Sequence, residues 1–344
     1  MEVRNQKIID AIKKKAEINC PGSLALIGIY GSVATGDVHA KSDLDLMILI
    51  NNESGRCLSD TFILDDADIG YDIYCTSWEM LEADAKCDHA HLSKLLDSKL
   101  VYVSDASALE RLETLQRSAF AILSSEERYG KAQNAFRRAT EKYGESFLMH
   151  SLSEVRFVVG NVIYELLNSL MLYHGRYFQK GVKRTFDEIN ALNLPFDMQA
   201  MVLAVIRGET VQQVQNMLTP LMLAVKAYLV LPNNREKPCV ENLAGTYEEI
   251  YSNWRNKLPE AAENRDLYSS FMNMANCHNM MNEIVQSVMI QNPELLGQFD
   301  PHNLHKNAEA FDEFLHLYLK VYEAAGIQLK RYGNIDEFLA AYHS

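Results

Sequence analysis

Between residues 24 and 50, apolar positions come as two short runs, LALIGIY (24–30) and LMILI (46–50), separated by a polar stretch that opens with Gly31-Ser32 and contains Gly36. Continuous apolar runs of this length, bounded by turn residues, predict two buried strands. The second strand is expected to start early enough to carry Asp43 and Asp45, which, two apart, then point the same way. Ahead of them, residues 5–16 place Ile8, Ile9 and Ile12 on one helical face, with Lys13, Lys14 and Lys15 in the last turns, where positive charge suits the helix dipole. Pro21 and Gly22 stop that helix.

A third strand is expected over 67–75 (ADIGYDIYC), where Ile69, Tyr71 and Ile73 alternate with Asp68, Gly70 and Asp72. Ser77 is placed to cap a helix over 78–85, and a further strand follows at 99–103. Beyond Asp105 the alternation stops. Leu109, Leu112, Leu115, Ala119 and Ile122 form one stripe, and the helical period runs almost to the end. Residues 154–173 predict a buried helix. Leu194-Pro195 and Thr219-Pro220 predict helix boundaries, and LPNNREKPCV (231–240) has the composition of a linker. Phe311, Phe314, Leu315, Tyr318, Val321 and Tyr322 make a last strong stripe. The pattern divides the chain into an α/β (α+β) domain with a mixed sheet over 1–125, a helical domain over 126–240, and a further helical region over 241–344.

Composition narrows the class. With 344 residues and 48% hydrophobic content the chain can bury ordinary cores. Its longest apolar stretches are broken by Asn161, Glu165, Asn168 and Lys226, so no membrane span is expected, and the charged N-terminus lacks a secretory pattern. Six cysteines without a CxxC pair suit reduced thiols, and a cytoplasmic location is the expectation. The net charge of −13 argues against a polynucleotide substrate and favours a cationic acceptor through the long-range field.

Two carboxylates side by side on a strand repel unless a cation lies between them, and Mg²⁺ suits such oxygen ligands. A glycine-led turn after a strand presents backbone N–H groups to an anion. Phosphate and Mg²⁺ are therefore expected in one site. Gly31-Ser32, ten intervening positions and then Asp43-Leu44-Asp45 resemble the Gly-Ser…Asp-x-Asp signature of the nucleotidyltransferase superfamily that includes DNA polymerase β. The segment SDLDLMIL is similar to the antibiotic-modifying branch, typified by kanamycin and lincosamide nucleotidyltransferases, and to minimal nucleotidyltransferases.

That resemblance implies a third carboxylate on a neighbouring strand, matched to Asp72 with Asp68 in reserve. It also implies a triphosphate-binding lysine in the helical part, Lys183 before Lys180. Asp43, Asp45 and Asp72 would hold two Mg²⁺ ions, and Gly31 and Ser32 the β- and γ-phosphates of a nucleoside triphosphate such as ATP. Asp72 is the candidate base, with Glu141, Glu145 and Glu154 as alternatives. The implied acceptor is a hydroxyl on a small molecule of the aminoglycoside or lincosamide kind. A partner protein, as for antitoxin-like relatives, and a nucleotide-binding module without turnover stay open. Homodimers are common in that family, so a second copy is a candidate partner. His89 and His91 near Cys87, and His302 with His305, are read as surface or packing histidines, because none has a full ligand set at suitable spacing.

Overall fold

The computed structural model describes residues 3–36, 44–66, 68–230 and 235–342. The chain forms two compact units, Met1–Val230 and Leu231–Ser344. In the first, the strands are β1 (Leu24–Ile29), β2 (Leu46–Ile50), β3 (Asp60–Leu64), β4 (Ile69–Ile73), β5 (Cys75–Ser77) and β6 (Lys99–Val103). Its helices are α1 (Val3–Asn19), α2 (Gly31–Thr35), α3 (Trp78–Asp84), α4 (Ser93–Leu96), α5 (Ala106–Ser124), α6 (Glu127–Ser146), α7 (Leu152–Tyr173), α8 (Thr185–Asn190), α9 (Met198–Ile206) and α10 (Val211–Tyr228).

The two apolar runs are continuous rather than alternating because both faces of their sheet are covered. Every residue of β1 and β2 is buried. The sheet order is β5-β2-β1-β6, with β1 antiparallel to β2 and β6, and β2 parallel to β5. Ile27, Ile29, Leu46, Ile48 and Ile50 pack on one face with Ile9, Ile12 and Ala16 of α1. Ala25, Leu26, Met47 and Leu49 on the other face join Leu81, Leu112 and Ala119, and that same core continues through Val162 and Leu170 to Leu221 and Leu229. One core thus joins the mixed sheet to the helices α5–α10.

Local signals explain the helix starts. The Ser77 hydroxyl accepts the Met80 N–H (3.3 Å) at the head of α3, and the Asp105 carboxylate accepts the Ala108 N–H (2.9 Å) at α5. Ser151 and Glu154 cap α7 reciprocally. Helix α7 is long and apolar enough to cross a membrane, yet 61% of its apolar window is buried inside the protein. Ala132, Ala135 and Ala139 are fully buried on α6, small enough for α7 to approach closely, and Arg138 grips Glu165 through two contacts of 3.0 and 2.9 Å.

The structure departs from the pattern in several places. The strand expected over 67–75 is two: β4 pairs with β3 in a separate antiparallel ladder, and after Tyr74 the chain joins β2 as β5; Ala67 lies outside the described residues. Strand β3, none of whose residues is buried, is an addition to the pattern. Pro220 does not end a helix but lies inside α10. Its missing N–H costs roughly 3 kcal/mol, outweighed by the burial of Leu218, Leu221 and Met222 and by the Thr219 hydroxyl, 3.2 Å from the Gln215 carbonyl and 2.9 Å from the Tyr143 hydroxyl.

Beyond α7 the chain turns at Gly175, whose φ is +63° and whose missing Cβ would lie 2.2 Å from the Leu123 carbonyl oxygen. Gly175→Ala is therefore expected to lower the unfolding free energy by about 2–3 kcal/mol, read as a shift of the urea midpoint at unchanged slope.

The second unit contains α11 (Val240–Leu243), α12 (Thr246–Trp254), α13 (Lys257–Glu263), α14 (Leu267–Ser287), α15 (Leu304–Ala324) and α16 (Ile335–Tyr342). Its core joins Leu243, Ile250 and Trp254 to Met274, Cys277 and Met281 of α14 and to the α15 stripe of Phe311, Phe314, Leu315, Tyr318 and Tyr322. Glu236 bridges to Val288, so part of the expected linker belongs to this unit. Residues 231–234 of that linker lie outside the described residues.

Candidate active site

Antiparallel pairing builds the site. Ile29 is the partner of Leu46, and the pairing carries one step further, with the Tyr30 N–H donating to the Asp45 carbonyl at 3.1 Å. Asp45 therefore precedes β2 rather than lying within it, directly beside the turn that follows β1. That turn is Gly31, with φ +65°. A Cβ there would sit 1.9 Å from Asp45 Oδ2 and 2.7 Å from its Cγ, so the carboxylate rests against the Gly31 backbone where only glycine leaves room. Ser32 lies in the first turn of α2, which Gly36 closes in the left-handed conformation (φ 77°).

Asp72 is exposed on β4, where its Oδ1 accepts the Thr61 hydroxyl at 3.2 Å. Asp72 stands three residues before Cys75, the residue that pairs with Ile48 of β2. A tie runs from the Tyr30 hydroxyl to the Tyr74 hydroxyl at 3.1 Å. Because β2 lies between β1 and β5 in the sheet, this bridge links the glycine turn to the strand junction after Asp72 at the β2 end that Asp45 precedes. Asp43 lies outside the described residues.

Lys183 occupies a single 3₁₀ turn, Val182–Arg184, between α7 and α8. Lys180 lines a separate cavity of about 400 Å³ with Arg176, Tyr177 and Glu188. Tyr177 donates to Asp97 at 2.8 Å, and burial pushes its phenol up to about 12.

The alternative bases are occupied by local structure. Glu141 pairs with Arg137 at 3.1 Å and Glu145 with Lys142 at 2.7 Å. Glu154 accepts from Ser151, whose hydroxyl and backbone hold it below the usual carboxylate range. His91 stacks between Tyr164 and Phe178, each 4.9 Å away, and burial lowers its pKa. His89 pairs with Asp84 at 3.3 Å. Among the described residues no group of three or more His, Cys, Asp or Glu side chains gathers as a metal site. Of the three carboxylates expected at the site, Asp45 and Asp72 are described, and both are oxygen donors of the kind a hard divalent cation takes.

The Tyr30–Tyr74 bridge and the Thr61 contact were not foreseen in the sequence. Their signal is present only in hindsight, since Tyr30 directly precedes Gly31-Ser32 and Tyr74 follows Asp72 by two residues.

Residues 6–113 match the family model described as a nucleotidyltransferase domain. Among solved structures, a nucleotidyltransferase-like protein from Exiguobacterium sibiricum 255-15 aligns with 66% of this chain and 74% of its own, at a TM-score of 0.36 and 10% sequence identity. No curated protein matches the chain in sequence.

Proposed function

Taking the nucleotidyltransferase domain of residues 6–113 as premise, we propose that the protein moves a nucleoside monophosphate, AMP from ATP, to a hydroxyl of a small-molecule acceptor and releases pyrophosphate. The observation that supports this most is the seating of the Asp45 carboxylate against Gly31. It brings the carboxylate half of the motif within contact distance of the glycine turn. Asp43, Asp45 and Asp72 would hold two Mg²⁺ ions, which supply charge neutralisation at the triphosphate and a more acidic acceptor hydroxyl.

The chain's own groups do the rest. Gly31 lets phosphate oxygens approach the backbone, Ser32 adds its N–H and hydroxyl, and Lys183 adds a positive charge for the departing pyrophosphate. The acceptor oxygen bonds to the α-phosphorus as the bond to pyrophosphate breaks, and the acceptor's proton passes to Asp72. The net charge of −13 favours a cationic acceptor of the aminoglycoside kind, and the activity belongs in the cytoplasm, where ATP and Mg²⁺ are available.

The test is incubation with each α-labelled nucleoside triphosphate, Mg²⁺ and a panel of aminoglycosides, lincosamides and cell proteins. Label from ATP on a small molecule is the expected result. Label on a protein would move the acceptor to that class, and bound nucleotide without transfer would remove the catalytic reading altogether.

A further inference from the structure

The second unit holds a cavity of about 370 Å³ walled by Tyr247 and Tyr251 of α12 and by Leu329, Lys330, Arg331 and Tyr332 from the segment between α15 and α16. Small-molecule sites run from about 300 to 1,000 Å³. The aromatic wall is built on the core: the Tyr247 and Tyr251 rings stack with centroids 6.2 Å apart, and Tyr247 stacks in turn on the buried Tyr318 at 6.3 Å. Tyr251 and Tyr332 keep 44% and 46% of their surface exposed, so ring area remains open to a ligand.

The polar groups are divided by role. Glu248 also lines the cavity, and its Oε1 accepts the Lys330 N–H at 2.7 Å. This carboxylate fastens the 330–332 segment to α12, and the cavity lining carries two cations, Lys330 and Arg331, against the one carboxylate. Burial raises the Tyr247 phenol, and the nearby Arg331 guanidinium works against that rise. The balance of two cations to one carboxylate disfavours a cationic ligand, and a purely apolar one would strip water from the charged groups without return.

We propose that this cavity binds a small planar aromatic anion, its ring on the tyrosine faces and its anionic group on Lys330 and Arg331. The site lies wholly within the second unit and is independent of the transfer reaction.

Calorimetric titration of the full chain, in EDTA to remove divalent metal, with phenyl phosphate and with AMP as probes, tests this directly. One saturable event per chain is expected, weakened about tenfold or more by Arg331→Gln and by Tyr251→Leu and unchanged by Asp45→Asn. Adenosine and inorganic phosphate should each bind about tenfold or more weaker than AMP. The proposal is overturned if neither probe binds, if both cavity variants bind as the native chain does, if Asp45→Asn abolishes the event, or if adenosine equals AMP. Should Tyr251→Leu not fold, Arg331→Gln decides alone. A failed transfer assay leaves every one of these readings intact.

Discussion

Asp45→Asn is expected to lower the rate of nucleotidyl transfer by about 10³-fold, roughly 4 kcal/mol of transition-state stabilisation, with little change in the thermal midpoint. The fold should tolerate the change because Asp45 is tied into the sheet by its backbone, its carbonyl accepting the Tyr30 N–H at 3.1 Å. The amide has the shape of the carboxylate and occupies the same space beside Gly31. What it lacks is the anionic charge and the second oxygen donor, and a hard divalent cation needs both. The loss should therefore appear mainly in kcat at saturating ATP. Direct titration of Mn²⁺ into the ATP complex should show weakened metal binding in parallel. Native-like transfer by the asparagine variant would remove Asp45 from the metal site, and with it the mechanism proposed for this domain.

How much of this was legible in the sequence depends on burial. Strands β1 and β2, and helices α1, α5, α7 and α15, announce themselves because each places a continuous run or a full stripe of apolar residues in a core, whereas β6 reads from its LVYV run although none of its residues is buried. Strand β3 buries no residue and opens on the polar pair Asp60-Thr61, and the break at Tyr74 is hidden because Tyr71, Ile73 and Cys75 are all buried and continue one alternation through two different pairings. Pro220 misled for the opposite reason, a strong local signal overruled by the packing around it.

The residues of the candidate site stand out in the sequence, but their geometry does not. Gly31 and Asp45 stand fourteen positions apart, and only the register Ile29–Leu46 turns that spacing into contact. The tyrosine bridge between residues 30 and 74 needs the strand order β5-β2-β1, which no local pattern contains. The acceptor half is not legible at all, since a surface shaped to one small molecule leaves no periodicity.

Gly31→Ala should be the more damaging change at the turn, and its comparison with Gly36→Ala separates two causes. Both glycines have positive φ, +65° and +77°, so alanine at either meets a backbone penalty of about 1 kcal/mol. At Gly36 the added methyl meets no described atom within 4 Å, so stability should fall by about that amount and transfer should persist within a few-fold. At Gly31 the methyl would lie 1.9 Å from Asp45 Oδ2, 2.7 Å from Cγ and 3.1 Å from Cβ. Rotating one carboxylate oxygen away does not relieve three contacts along the same side chain. The whole Asp45 side chain must move, or the turn must open. Stability should therefore fall by about 2–3 kcal/mol, and transfer by about 10²–10³-fold, since displacement of a reacting group by about 1 Å is enough for a loss of that order. The apparent affinity for ATP should weaken as well, because the same methyl occupies the approach of the phosphates to the backbone. Steady-state kinetics on both variants, at a temperature where each remains folded, gives the answer. Equal activity in Gly31→Ala and Gly36→Ala would mean that contact between Gly31 and Asp45 plays no part in the reaction, whatever its cost to the fold.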